Sequence, residues 1–222
     1  MIADVGCKGL TVRGLAEETG YAVQTLYNRV GPRDQAISDA MSEYSIYVGR
    51  VGTPALDTPL AIPAIANMWL GVSQIRPDYS RECNLIFFTD WRHIYYRFRA
   101  RQLRGMQTLL RRQQQCGILR SSCDPSVLAE HMVLFATSLW VDWADRPFAI
   151  GGLRSRLYSG FAHLLHGQIS EEHAEDMRAH FTVFGNARSP STSRRADSAN
   201  FLAPQTSPTD EGLRQSRWTG DA

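Results

Sequence analysis

Four polar side chains lie close together between residues 23 and 30 and could read nucleic-acid bases. They are Gln24, Thr25, Asn28 and Arg29. Amide side chains can bond the edge of adenine, a threonine methyl can contact thymine, and arginine can reach a phosphate. The segment therefore has the residue types of a DNA-reading surface, provided that a helix presents them outward.

The elements that would position these side chains are two short helices joined by a glycine turn. The first begins at Thr11, whose hydroxyl suits an N-cap, and ends before Gly20, a residue that takes the left-handed conformation at little cost. Apolar residues recur at helical spacing in both segments: Val12, Leu15 and Ala16, then Val23, Leu26, Tyr27 and Val30. The pattern is typical of a helix-turn-helix. A plain helical hairpin inside an all-α core is the alternative.

The stretch GLTVRGLAEETGYAVQTLYNRVGPRDQAI resembles the DNA-binding segment of TetR-family transcriptional regulators. TVRGLA resembles the second helix of that family, TGYAVQTLYNRV the turn and recognition helix, and GPRDQAI the start of the fourth helix. Arg29 and Val30 stand where the family commonly has His and Phe, and Arg33 stands where it usually has Lys. All three replacements keep the basic or apolar character of their positions.

The resemblance and the side-chain types together predict the contacts with DNA. Tyr27, Arg29 and Arg33 are expected to contact phosphates, whereas Val23, Gln24 and Thr25 are expected to face base edges. The complete predicted DNA-binding set is Thr11, Arg13, Val23, Gln24, Thr25, Tyr27, Asn28, Arg29 and Arg33.

Two features of the N-terminal segment do not support DNA binding by themselves. Met1 to Val5 offers about one helical turn before Gly6, so the first helix of the head is expected to be incomplete, either trimmed or preceded by residues upstream of an internal Met. The net charge is only +2, and residues 1–50 hold five basic and six acidic side chains. The prediction therefore depends on the motif and on side-chain placement.

Beyond the motif, apolar periodicity predicts one helix after another and no strand. Helices are expected at 60–75, 81–90, 91–116, 126–144, 153–167 and 170–184. The predicted fold is all-α, with a DNA-binding head at 1–45 and a helical regulatory and dimerisation domain at 46–184. Residues 185–222, rich in Ser, Thr, Pro, Arg and Asp, are expected to be a disordered tail.

The order of helices in the second domain loosely resembles the regulatory domain of the same family, which implies dimerisation and binding of a small molecule. Helices 126–144 and 153–167 are expected to pair with their symmetry mates in a homodimer. The predicted interface residues are Leu139, Trp143, Leu157, Phe161 and Leu164.

Large aromatic side chains in the middle helices predict an apolar cavity for a small hydrophobic effector. The cavity is expected among helices 60–75, 91–116 and 126–144, although each ring could instead fill the core. The predicted effector residues are Trp69, Phe88, Trp91, Tyr95, His131 and Phe135.

The sequence gives no sign of catalysis, of a cofactor or of a membrane span. His163 and His166 are three residues apart, but no motif supplies the further ligands that a metal site needs. No run of 18 apolar residues occurs, and the four cysteines are scattered, as expected of free thiols in the cytoplasm. Neither an enzyme nor a membrane partner is predicted.

The function predicted from these observations is a ligand-responsive transcriptional regulator. It would bind a double-stranded DNA operator as a homodimer and act as a repressor released by a small hydrophobic effector. The alternative is a helical small-molecule-binding or interaction protein that has lost DNA binding.

Overall fold

The computed structural model describes residues 1–50 and 57–186, without the side chains of 42–50. Within these ranges the chain forms helices joined by short loops, with no β-strand, and the predicted all-α class is confirmed. The helices are α1 (Ile2–Gly9), α2 (Val12–Thr19), α3 (Val23–Val30), α4 (Arg33–Arg50), α5 (Ala61–Ile75), α6 (Pro77–Leu85), α7 (Arg92–Gln115), α8 (Pro125–Asp145), α9 (Ile150–Leu165) and α10 (Glu171–Asn186). A single 3-10 turn, Ile86–Phe88, follows α6.

Most helix boundaries agree with the sequence pattern to within a few residues, but α6 does not. The sequence pattern predicts that this helix begins at residue 81. The structure begins it at Pro77 itself. The N–H groups of the first helical turn have no partner within the helix, so the N–H that proline lacks is not missed there. α8 also begins at a proline, Pro125. The carboxylate of the preceding Asp124 accepts hydrogen bonds from the N–H groups of Ser126 and Val127.

The larger hydrophobic core lies among α5, α7, α8, α9 and α10. Leu70, Leu109, Met132 and Phe161 are completely or almost completely buried within it. Burial of such side chains is the main force that holds helices together in a fold without sheets.

A second core joins the N-terminal helices to the middle of the chain. Cys7 of α1 and Ile37 of α4 pack with Cys83 of α6 and with Ile94 and Tyr95 of α7. The head predicted from the sequence therefore shares its apolar contacts with helices of the second predicted domain. The boundary predicted between residues 45 and 46 falls inside α4.

The first helix is short and interrupted. α1 has eight residues and leaves helical geometry at Gly6, where φ is 69° and ψ is 169°. A Cβ atom at this position would lie 2.6 Å from Oε2 of Glu82, so α1 also approaches α6 closely at this point. The break coincides with the place where the sequence predicted the first turn to end.

Two remaining predictions concern the end of the chain and membranes. Of the predicted tail at 185–222, residues 185 and 186 belong to α10, and residues 187–222 lie outside the described part of the chain. None of the described helices is long and apolar enough to cross a membrane.

Candidate nucleic-acid interface

The turn between α2 and α3 has the geometry that its sequence predicts. The hydroxyl of Thr11 accepts a hydrogen bond from the N–H of Gly14 at 2.9 Å and so caps α2. Gly20 ends α2 in the left-handed conformation, with φ 71° and ψ 7°. Ala16 and Leu26 are the buried residues of the two helices, so they fix which face of α3 turns inward.

The opposite face of α3 is exposed and carries most of the predicted base-reading residues. Val23 is 41% exposed and Tyr27 is 48% exposed, which is high for apolar and aromatic side chains. Gln24 and Asn28 are also exposed, whereas Thr25 is half-buried. A helix that keeps such residues in solvent is typical of a binding surface.

The two amides of this face contact each other. Nε2 of Gln24 donates a hydrogen bond to Oδ1 of Asn28 at 3.1 Å, one helical turn away. The pair restricts the rotamers of both side chains, and Oε1 of Gln24 and Nδ2 of Asn28 keep the capacity to accept and to donate outward.

Two of the predicted arginines, Arg13 on α2 and Arg29 on α3, have different partners. The guanidinium of Arg29 lies 5.7 Å from the centre of the Tyr21 ring, within the range of a cation–π contact. Nε of Arg13 lies 3.2 Å from Oε1 of Glu17, and both side chains are largely exposed. Such exposed ion pairs are weak, so a phosphate can replace the carboxylate at little cost. Tyr21 was missed by the sequence prediction, although an aromatic residue in a turn, outside the apolar helix faces, was a usable signal.

Arg33 has internal partners instead of facing away from the protein. Its Nη2 donates hydrogen bonds to the backbone oxygens of Cys7 and of Lys8, the latter at 2.7 Å. Its guanidinium also lies 4.0 Å from the centre of the Trp91 ring. These contacts join α1, α4 and the residue before α7, and they give Arg33 partners within the chain in addition to its predicted phosphate contact.

The predicted effector residues fall into separate places. Trp91 and Tyr95 belong to the second core, where Tyr95 lies 5.6 Å from the ring of Phe87 and donates to Oδ1 of Asn84 at 3.3 Å. Burial raises the pKa of Tyr95 to about 12. Phe88, in the 3-10 turn just before Trp91, is 59% exposed.

The other predicted effector residues lie in or beside the larger core. Trp69 and Phe135 both pack on the ring of Phe161, with ring centres 6.1 and 6.3 Å apart, and His131 is exposed. The six residues therefore do not line a common cavity. A groove that lies between α9 and α10 includes none of them.

The predicted dimer residues are mostly core residues of the single chain, which corrects the interface prediction. Leu157 and Phe161 have no exposed surface, and Leu139 and Trp143 are 8% and 3% exposed. A second copy cannot contact a side chain that its own protomer covers. Leu164 is half-buried and packs against the same core. The outward faces of the two helices carry other residues.

No metal site is formed by His, Cys, Asp or Glu side chains in the part of the chain that the structure describes. His163 on α9 and His166, which directly follows α9, are both exposed.

Comparison with known proteins supports the architecture. No family model and no curated protein matches the sequence. A solved structure described as a TetR-family transcriptional regulator from Rhodococcus sp. matches with a TM-score of 0.57 and 20% sequence identity, over 76% of this chain and 92% of that one. The chain therefore has the all-helical fold of that regulator.

Proposed function

We propose that this protein is a DNA-binding transcriptional regulator that reads DNA through α3. The observation that carries the proposal is the exposed face of α3, where Val23, Gln24, Tyr27 and Asn28 are held outward by the burial of Leu26. The sequence of this helix resembles a recognition helix, and the neighbouring helices supply the turn and cap that such a motif needs.

The chemistry of this face suits the major groove. A coupled Gln24–Asn28 pair presents one acceptor and one donor, which is the combination that an adenine edge requires. The methyl groups of Val23 suit contact with a thymine methyl. Tyr27 and Arg29 are both exposed on this helix, and we propose that they contact phosphates.

A second copy of the chain is part of this function, because a single recognition helix contacts only a few base pairs. The outward face of α8 offers a seam for pairing. Val127, His131, Leu134 and Ser138 are all exposed and follow one another at spacings of four, three and four residues. Val127 is 46% and Leu134 40% exposed, so pairing of two such helices would remove apolar surface from water. We propose this face, in place of the buried residues, as the homodimer contact.

Regulation requires that the rest of the chain bias the position of the head. The shared core and the Arg33–Trp91 contact connect the two regions physically. An effector that favours one arrangement of α7 would change the fraction of dimers whose α3 helices match successive major grooves. We propose release of DNA as the response, as in a repressor, and the cytoplasm as the site of action.

The competing function is a helical binding protein without DNA affinity and without catalysis. Arg33 is turned inward, and residues 1–50 contain more acidic than basic side chains, six against five. Both observations reduce the electrostatic attraction to phosphates on which non-specific DNA binding depends.

The salt dependence of DNA binding separates the two functions. Fluorescence anisotropy of the full chain with labelled duplex DNA of random sequence should give binding that weakens steeply with salt. Arg29→Ala should reduce the slope of log K against log salt concentration by about 1. The matched control is Arg104→Ala, which removes an exposed arginine from α7, far along the chain from the motif. Absence of binding at low salt would favour the competing function.

A further inference from the structure

A long groove runs along the surface between α9 and α10. Its volume is about 730 Å³, and its lining residues on α9 extend from Ser155 to Leu165. Ten residue steps of a helix correspond to about 15 Å, which is long enough to receive an extended ligand. Ligand pockets commonly have volumes of about 300–1,000 Å³, and this groove falls within that range.

The floor of the groove is apolar. The side chains that form it come from both helices and the loop between them: Tyr158, Leu165, Ile169, Met177 and Phe181. Two of these rings, Tyr158 and Phe181, lie 5.8 Å apart in an edge-to-face arrangement. The floor is therefore rigid and suits a hydrocarbon chain laid along it.

The rim of the groove has one sign of charge. Its charged side chains are Arg120 and Arg178, and none of the described residues that line the groove is an Asp or a Glu. Nε of Arg120 donates to the backbone oxygen of Ile169 at 2.9 Å, and its Nη2 lies 3.5 Å from the highly exposed Glu171. Arg178 is exposed on α10 and forms no ion pair with any described residue. The rim therefore favours an anion.

A buried cation adds to this potential from behind the floor. Arg154 is only 5% exposed, and its Nη1 donates to Oδ1 of Asn67 at 3.3 Å and to the backbone oxygen of Phe184 at 2.9 Å. Its guanidinium lies 6.0 Å from the ring of Tyr158, a floor residue. Its partners among the described residues are neutral, so the positive charge is not cancelled locally.

We propose that the groove between α9 and α10 binds an amphipathic monoanion, a carboxylate attached to an unbranched hydrocarbon chain. The chain lies on the apolar floor, and the carboxylate lies at the basic rim near Arg178. This site differs from the cavity expected among α5, α7 and α8. The proposed ligand would be the effector of the proposed regulator. Its binding to the groove does not depend on that function, and only its effect on DNA binding rests on it.

The test uses dodecanoate, below its micelle concentration, titrated into the full chain by isothermal calorimetry. Saturable binding of one dodecanoate per chain is expected. Dodecyltrimethylammonium, which has the same chain and the opposite charge, should bind about tenfold more weakly or worse, because the rim is basic. Absence of saturable dodecanoate binding, or equal binding of the cation, would overturn the proposal.

Variants locate the ligand on the groove. Ala162→Trp places an indole in the groove and should weaken dodecanoate binding about tenfold or more. Its matched control is Ala179→Trp, which changes an exposed alanine of α10 outside the groove and should leave binding unchanged. Arg178→Gln should weaken binding about threefold, the size expected of an exposed charge pair, whereas Arg104→Gln on α7 should have no effect. Equal effects of Ala162→Trp and Ala179→Trp would contradict the assignment.

Two further measurements separate this proposal from its alternatives. If Ala162→Trp turns a dimer into a monomer in sedimentation and dodecanoate does not bind, the groove is a contact between copies and the proposal is wrong. DNA binding is measured on the same samples. If the chain binds dodecanoate but not DNA, the ligand site is supported and the proposed regulator function is refuted. If it binds DNA but not dodecanoate, only the ligand site is refuted.

Discussion

The guanidinium of Arg33 lies 4.0 Å from the centre of the Trp91 ring. Arg33 is the first residue of α4, and Trp91 immediately precedes α7. The same guanidinium donates to backbone oxygens of Cys7 and Lys8 in the last turn of α1, where carbonyl groups lack helical partners. One side chain thus contacts α1, α4 and the residue before α7.

Arg33→Ala should therefore lower the free energy of unfolding and leave the salt dependence of DNA binding almost unchanged. Loss of charge-assisted hydrogen bonds that are partly buried should lower the free energy of unfolding by about 1–3 kcal/mol. Urea denaturation measures this, with Arg29→Ala as the control that should change stability little. An Arg33→Ala protein of unchanged stability and reduced salt slope would show that Arg33 contacts phosphates after all.

Substitutions on α8 and α9 should separate the subunit contact from the core. Leu134→Arg, on the exposed face of α8, should give folded monomers because it places charge in the proposed seam. Leu157→Arg should unfold the chain, since that side chain is completely buried. Sedimentation velocity and circular dichroism report the two outcomes, and Val183→Arg, at an apolar residue of α10 that is 67% exposed, is the control. A Leu134→Arg dimer would exclude this face as the interface.

The packing of Phe135 gives a prediction that is independent of function. A Cβ atom at Gly160 of α9 would lie 2.1 Å from Cζ of Phe135, so the glycine allows α8 and α9 to approach closely. Gly160→Ala should destabilise the protein by about 1–3 kcal/mol through overpacking. Gly105→Ala in α7, where no heavy atom lies within 4 Å, should instead stabilise it by about 0.5–1 kcal/mol. Thermal denaturation compares the two, and equal shifts would show that Phe135 moves aside freely.

Tyr95 should make stability fall at high pH. Burial raises its pKa from 10.0 to about 12 in the folded protein. The unfolded chain loses the phenolic proton first, so the contribution of Tyr95 is complete below pH 10.0 and is lost as the pH rises toward 12. The difference in unfolding free energy between the natural chain and Tyr95→Phe should shrink over this interval. A difference that stays constant would mean that Tyr95 ionises equally in both states.

The motif at the start of the chain could be predicted because its signals are local. The spacing of Val23, Leu26 and Val30 and the glycine at 20 depend on neighbours within one or two turns. These signals predicted the two short helices and the turn between them. They did not predict the inward face of α3 correctly, because only Leu26 of its apolar residues is buried, whereas Val23, Tyr27 and Val30 are exposed.

The remaining site residues could not be placed in this way because their roles depend on distant contacts. The amphipathic stripe that contains Leu157 and Phe161 reads the same whether it packs on its own chain or on a second copy. The partners of Arg33 lie far away along the chain, at Cys7 and at Trp91. Aromatic content likewise does not reveal whether rings such as Trp69 enclose a cavity or fill a core.

Selection of binding sequences from random duplex DNA tests the central claim most directly, because it requires no known operator. The full chain should enrich a palindromic site whose half-sites lie about one helical turn apart, or a multiple of it. Gln24→Ala should change the preferred base pair at one position of each half-site, by about 1–3 kcal/mol, while the protein stays folded. Enrichment of no sequence, or an identical site with Gln24→Ala, would contradict the proposal that α3 reads DNA.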